Sequence, residues 1–143
     1  MEKINTVKAV IIGIFGAIGS FIVQLLGGWT ADMQTLIVLM AVDIIMGFLI
    51  AAIWKKSGKS ITGSLNSISM WKGLCRKGVS LLIVLVANQL DSTMGTDYIR
   101  TAVIIAFIVN ELISIVENAG IMGVPIPGVI TKAIEVLKKK EGD

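Results

Sequence analysis

At 143 residues, with 55% hydrophobic and only 16% charged side chains and a mean hydropathy of +0.85, the chain has more apolar surface than an aqueous fold of its size can hide. The expected solvent is the bilayer and the expected organisation a single membrane domain over 1–143. The net charge of +3 falls in blocks beside apolar runs, which argues for membrane topology over nucleic acid, and one cysteine with no histidine excludes an internal disulfide, a zinc or haem ligand set and a Cys/His catalytic pair.

The first predicted helix covers about 9–29. Lys3 and Lys8 precede it, as in the n-region of a signal peptide, but Ala9 to Ala31 is 23 residues without a charge. That exceeds the usual h-region of about 7–15 residues. Trp29 also spoils the small-x-small cleavage pattern. We therefore expect an uncleaved membrane helix. Gly13 and Ala17, and Gly16 and Ser20, are pairs of small residues four apart, with Gly19 beside them. Such spacing lets helix backbones approach closely in lipid. Self-association and packing within one protomer both fit it.

The second helix covers 33–54. Its 22 residues are apolar except for one central carboxylate, Asp43. An acid at that depth costs about 2.5–3.5 kcal/mol on insertion scales. Trp29 and Trp54 stand as interface anchors at the ends of this first hairpin. Lys55 to Ser69 reads as a polar loop. The loop from Lys55 to Lys77 holds Lys55, Lys56, Lys59, Lys72, Arg76 and Lys77 and no acid.

The third segment, 71–91, is weaker. Only Gly78 to Leu90 is free of charge, which is about 20 Å of helix. It reaches membrane length if Lys72, Arg76 and Lys77 snorkel to the headgroups. Cys75, among these cations, reads as a small residue near the interface in a reducing compartment. Asn88 lies near its outer end. The fourth helix, 99–118, carries Glu111, with Asn110, Ser114, Glu117 and Asn118 sharing a face at i, i+4, i+7 and i+8. Thr30–Asp32 and Asp91–Tyr98 read as the tight turns of two helical hairpins. The glycines and prolines after Glu117 are expected to end the fourth helix. Over 128–140, Val129, Ile130, Ala133, Ile134 and Leu137 recur at helical spacing opposite lysines, an amphipathic segment suited to an anionic leaflet.

The basic blocks (Lys3 and Lys8, the 55–77 loop, and Lys132 with Lys138, Lys139 and Lys140) all fall on one side if the chain crosses four times. The opposite turns hold Asp32, Asp91 and Asp97 with only Arg100. By the positive-inside rule both termini are then cytoplasmic. The expected fold is all-α, an integral membrane protein with about four transmembrane helices in two hairpins plus the C-terminal amphipathic segment.

No cation lies at an evident matching depth for Asp43 or Glu111. Two uses remain open for these acids: protonated groups hydrogen-bonding to neighbouring helices, or ionised groups lining water. A plain structural contact within one protomer is the third reading, stronger for Glu111 than for the deeper Asp43. No Gly-rich loop has phosphate-binding spacing, so neither an enzyme nor a cofactor or metal is expected.

Particular residues carry a family likeness. Asp43 is followed by Gly47. Trp71-Lys72-Gly73-Leu74-x-x-Lys77 leads into an apolar helix ending at Asp91. Glu117-Asn118 is followed, four residues on, by Gly123-Val124-Pro125-Ile126-Pro127. In this order and spacing the chain, from about Asp43 to Leu137, resembles the toxin-secretion/phage-lysis holins of Gram-positive bacteria and their phages. The resemblance implies a protein of the cytoplasmic membrane that forms homo-oligomers and lesions, releasing an endolysin or a toxin as cargo, with no enzymatic activity or cofactor. Candidates for oligomerisation or pore lining are then Asp43, Gly47, Asn88, Asn110, Glu111, Ser114, Glu117 and Asn118. Gly13, Gly16, Ala17 and Ser20 are helix-packing candidates. The alternative is a small proton- or ion-coupled channel or transporter using Asp43 and Glu111.

Overall fold

A computed structural model describes residues 2–55, 58, 61, 63 and 66–141. Five α-helices follow one another: α1 (Glu2–Leu25), α2 (Ala31–Leu49), α3 (Ser67–Met94), α4 (Ile99–Met122) and α5 (Gly128–Glu141). A π-helical turn, Ile50–Trp54, extends α2 and ends at Lys55, whose φ is +51°.

Among the described residues three helical stretches are long and apolar enough to cross a membrane: Lys3–Leu25, Ala31–Trp54 and Ile99–Met122. The protein is a membrane protein of all-helical class. The third sequence segment is a continuous 28-residue helix, α3, longer at both ends than 71–91. At about 1.5 Å per residue it is roughly 42 Å long, so its length is ample and its charge is what sets it apart. Lys72, Arg76 and Lys77 are therefore helical residues, not loop residues. Lys56 and Lys59 lie outside the described residues.

The helix ends explain the shifted boundaries. The first turn runs over Leu26–Thr30, so Ala31 and Asp32 already belong to α2. Gly28 N–H bonds to Val23 O at 2.9 Å and Gly27 N–H to Gln24 O at 3.0 Å, with Gly27 at φ +86°. This is the paired closure that a left-handed residue makes at a helix C-terminus. The same closure ends α4 at Gly123 (φ +75°), where Val124 N–H bonds to Ala119 O. The fourth helix thus passes Asn118 and absorbs Gly120, and only the left-handed Gly123 with Pro125 behind it stops the helix. α3 starts on a conventional cap, Asn66 Oδ1 accepting from Ile68 and Ser69 N–H at 3.0 and 3.2 Å.

α4 is the centre of the molecule, packing on α2, α3, α5 and the π turn. Leu26, Met33, Leu36, Met40, Val84, Ile104 and Ile108 form the buried core. Among the described side chains of α5 only Ile134 is buried, with Leu137 half-buried against the core; Val129, Ile130 and Ala133 stay exposed. The tail's apolar stripe is thus partly spent on α4. α1 stands apart: among the described residues it touches only α3, and it does not lie against α2.

Candidate functional site

Along the inward stripe of each bundle helix, apolar residues sit between polar ones. α2 reads Met33, Leu36, Met40, Asp43; α3 reads Lys77, Leu81, Val84, Asn88, Asp91; α4 reads Arg100, Ile104, Ile108, Glu111. Folding stacks these into an apolar layer bounded by two polar clusters. The inner cluster lies about 16 Å along α2 from Asp32, at 1.5 Å per residue.

Lys77 organises the inner cluster. Its Nζ lies 2.9 Å from Asp43 Oδ2 and 2.5 Å from Glu111 Oε2. Asp43 Oδ1 accepts from Ser114 Oγ at 2.6 Å and from Asn118 Nδ2 at 2.9 Å. Both acids are buried, at 5% exposure each. The absence of a matching cation, expected from the sequence, is thus corrected. Lys77 does not snorkel to the headgroups; it turns inward to two carboxylates. Counting depth along the chain concealed this, because Lys77 belongs to a helix whose apolar run starts only at Gly78 and its long stem spans the difference. The signal available in the sequence was the spacing of Lys77, Val84 and Asp91, which places the lysine on the core stripe of α3.

The face expected on α4 divides in two. Ser114 and Asn118 turn to Asp43, while Asn110 and Glu117 are exposed. Asn110 and Glu117 line, with Arg76, Lys77, Ser80 and Glu111, a polar cleft of about 370 Å³ between α3 and α4. A second, mostly apolar cleft of about 330 Å³ lies between α2 and α3 and contains Gly47, Ile44, Trp71 and Leu74. Asp43 and Lys77 are reached from both.

The outer cluster was not singled out from the sequence, apart from Asn88. Arg100 Nε donates to Leu26 O at 2.5 Å, and Arg100 Nη2 donates to Gly28 O and to Thr30 Oγ1 at 3.2 and 3.0 Å. Asn88 Nδ2 donates to Leu25 O at 3.1 Å. Asp91, from the last turn of α3, accepts from the backbone N–H of Ile99 and Arg100 and from Thr96 Oγ1 at 2.6 Å. It thereby satisfies the first orphan donors of α4, a task that Tyr98 at the cap position leaves undone. Asn88 therefore serves here as a clamp on the α1–α2 turn.

Gly13, Gly16 and Gly19 have open space where a Cβ would stand. At these three positions no other part of the protomer comes within 4 Å of the added atom. Cys75 is an exposed free thiol. Among the described residues no group of His, Cys, Asp and Glu is placed to hold a metal ion.

A helical membrane protein with charged side chains paired in its interior is the class these features define. The comparisons give the family. The chain matches the bacteriophage holin family over residues 20–139 and belongs to it. It is 38% identical over 107 residues to a probable holin of Bacillus phage phi105, covering 74% of this chain and 73% of that one. An uncharacterised protein of Halalkalibacterium halodurans is 35% identical over 123 residues, 82% and 85% of the two chains. An uncharacterised 14.9 kDa protein of Clostridium perfringens is 33% identical over 127 residues, 87% and 90%. No solved structure matches the chain.

Proposed function

We propose that the protein is a working holin: it accumulates in the bacterial cytoplasmic membrane, forms homo-oligomers and opens lesions through which an endolysin reaches the cell wall. The match to the holin family over residues 20–139 carries this reading. In this account α3 is a fourth span, both termini are cytoplasmic, and Lys72 and Arg76 sit at the inner headgroups with the lysines of α5, in contact with anionic lipid. Toxin release by the same route is compatible with it. The protein acts by assembly, without catalysis or cofactor.

The polar cleft between α3 and α4 supports a specific lining. Asn110 and Glu117 open sideways from the bundle, where lipid tails offer them no hydrogen bond. A neighbouring protomer or water satisfies them, so this face is assigned to the lumen or to the contact beside it. α1, with its small residues uncovered, is assigned to self-association.

The test is induced expression in bacteria together with a cytoplasmic endolysin and a folded reporter enzyme, following membrane potential, viability and release. Abrupt potential loss with release of both proteins is expected. Ion flux with the reporter retained and cells surviving would replace the holin with the ion-coupled channel. Intact potential would remove both.

A further inference from the structure

The inner cluster buries, within one protomer, the very charges that a water-filled lesion is able to solvate. Lys77 is the ionic tie between α3 and the acids of α2 and α4. It matters most for α2 and α3, which otherwise touch little, each packing mainly on α4. We propose that Asp43, Lys77 and Glu111 form a lock that holds the protomer in a closed bundle, and that opening this lock sets the time of lesion formation. The inference rests on the holin reading above.

Three observations support it. First, one ammonium bridges two buried carboxyl groups on different helices, so a single side chain of α3 ties α2 and α4 together. Second, buried ion pairs add little net stability over apolar packing, yet removing one partner is strongly unfavourable because a bare charge is left behind. An interaction of that kind separates two arrangements sharply without making the closed one permanent. Third, the cluster borders the α3–α4 cleft, where Arg76, Ser80, Asn110 and Glu117 offer polar surroundings on the path outward. In lipid the lock stays shut, since isolated charges are rejected there. In an assembly that admits water, the same charges lose their reason to pair.

The experiment compares release times of the folded reporter at matched membrane amounts of the full chain. Lys77→Met, which strands two acids, is expected to advance release by about twofold or more. Lys77→Arg, which keeps both ion pairs, is expected to stay near the wild-type time. The triple variant Asp43→Leu, Lys77→Met, Glu111→Leu replaces the lock with apolar packing and is expected to delay release by about twofold or abolish it. Wild-type timing in both Lys77→Met and the triple variant overturns the lock while leaving the holin reading intact. So does a triple variant that fails to accumulate, because the charges then serve folding. Should Lys77→Met alone be lost from the membrane, the triple variant decides: delay supports the lock and unchanged timing overturns it. If the wild-type chain releases no reporter at all, the holin reading fails and the lock fails with it.

Discussion

α1 and α4 are each 24 residues long and similarly apolar, yet they have opposite fates. None of α1's most apolar window is buried within the protomer, against 28% for α4's. The difference lies in polar side chains. From Ala9 to its end α1 carries no charge, whereas α4 carries Arg100, Glu111, Ser114 and Asn118 toward its neighbours. Apolarity does not draw helices together in a bilayer, because lipid tails are equally good company. Polar groups that lipid rejects do, and α4 becomes the hub through them. The C-terminal end of α1 is held by Asn88 and Arg100, which grip Leu25 and the turn after it.

Breaking that grip should have the largest effect. Arg100→Leu abandons the carbonyls of Leu26 and Gly28, and about 3 kcal/mol or more of bundle stability is expected to go with it. Unfolding in detergent titrated with denaturing surfactant measures this, and an unchanged midpoint would show the clamp to be idle.

Gly27→Ala attacks the same contact from the other side. Its Cβ would stand 2.5 Å from Arg100 Nε and from Asn88 Oδ1, at a φ of +86°. A loss of about 1–3 kcal/mol is expected. The strain should also loosen the α1–α2 turn, detectable as faster proteolysis between residues 25 and 31.

Ser114→Ala removes one donor from Asp43 and should cost about 1 kcal/mol, read from the same surfactant titration. Asn66→Ala, removing the α3 cap, should lower stability by a similar amount, about 1 kcal/mol. Circular dichroism would show the first turn of α3 fraying, and a cap residue without this effect would contradict its geometry.

The smallest effect on the protomer is the most informative about α1. Gly16→Ile falls in open space and should leave bundle stability within about 0.5 kcal/mol. Cross-linking in membranes should nonetheless show fewer oligomers. Unchanged cross-linking would remove α1 from self-association and leave the α3–α4 face to carry it.

The apolar helices were legible because their composition and length match a bilayer, and Asp43 and Glu111 stood out because acids are costly there. Boundaries shifted where local chemistry outweighed composition: α4 ran through Gly120 to the left-handed Gly123, and α3 extended back to the Asn66 cap. Lys77 was misplaced because counting along one segment ignores which way a side chain faces. Asp91 and Arg100 looked like turn charges and proved to be the outer clamp.

The linear order of residues by itself determined an all-helical membrane protein of the holin family, with basic blocks alternating with apolar helices. Its lone small-residue helix and its polar residues at fixed points along α2 and α4 were equally settled there. Only the tertiary structure decided which polar residues meet. Asp43 and Lys77, and Leu26 and Arg100, come from distant parts of the chain, and their contact depends on the rotation and register of packed helices. Those are set by the core side chains collectively, and no single segment carries them. Hence Asp43, the one charge within its apolar stretch, meets a lysine that another helix supplies.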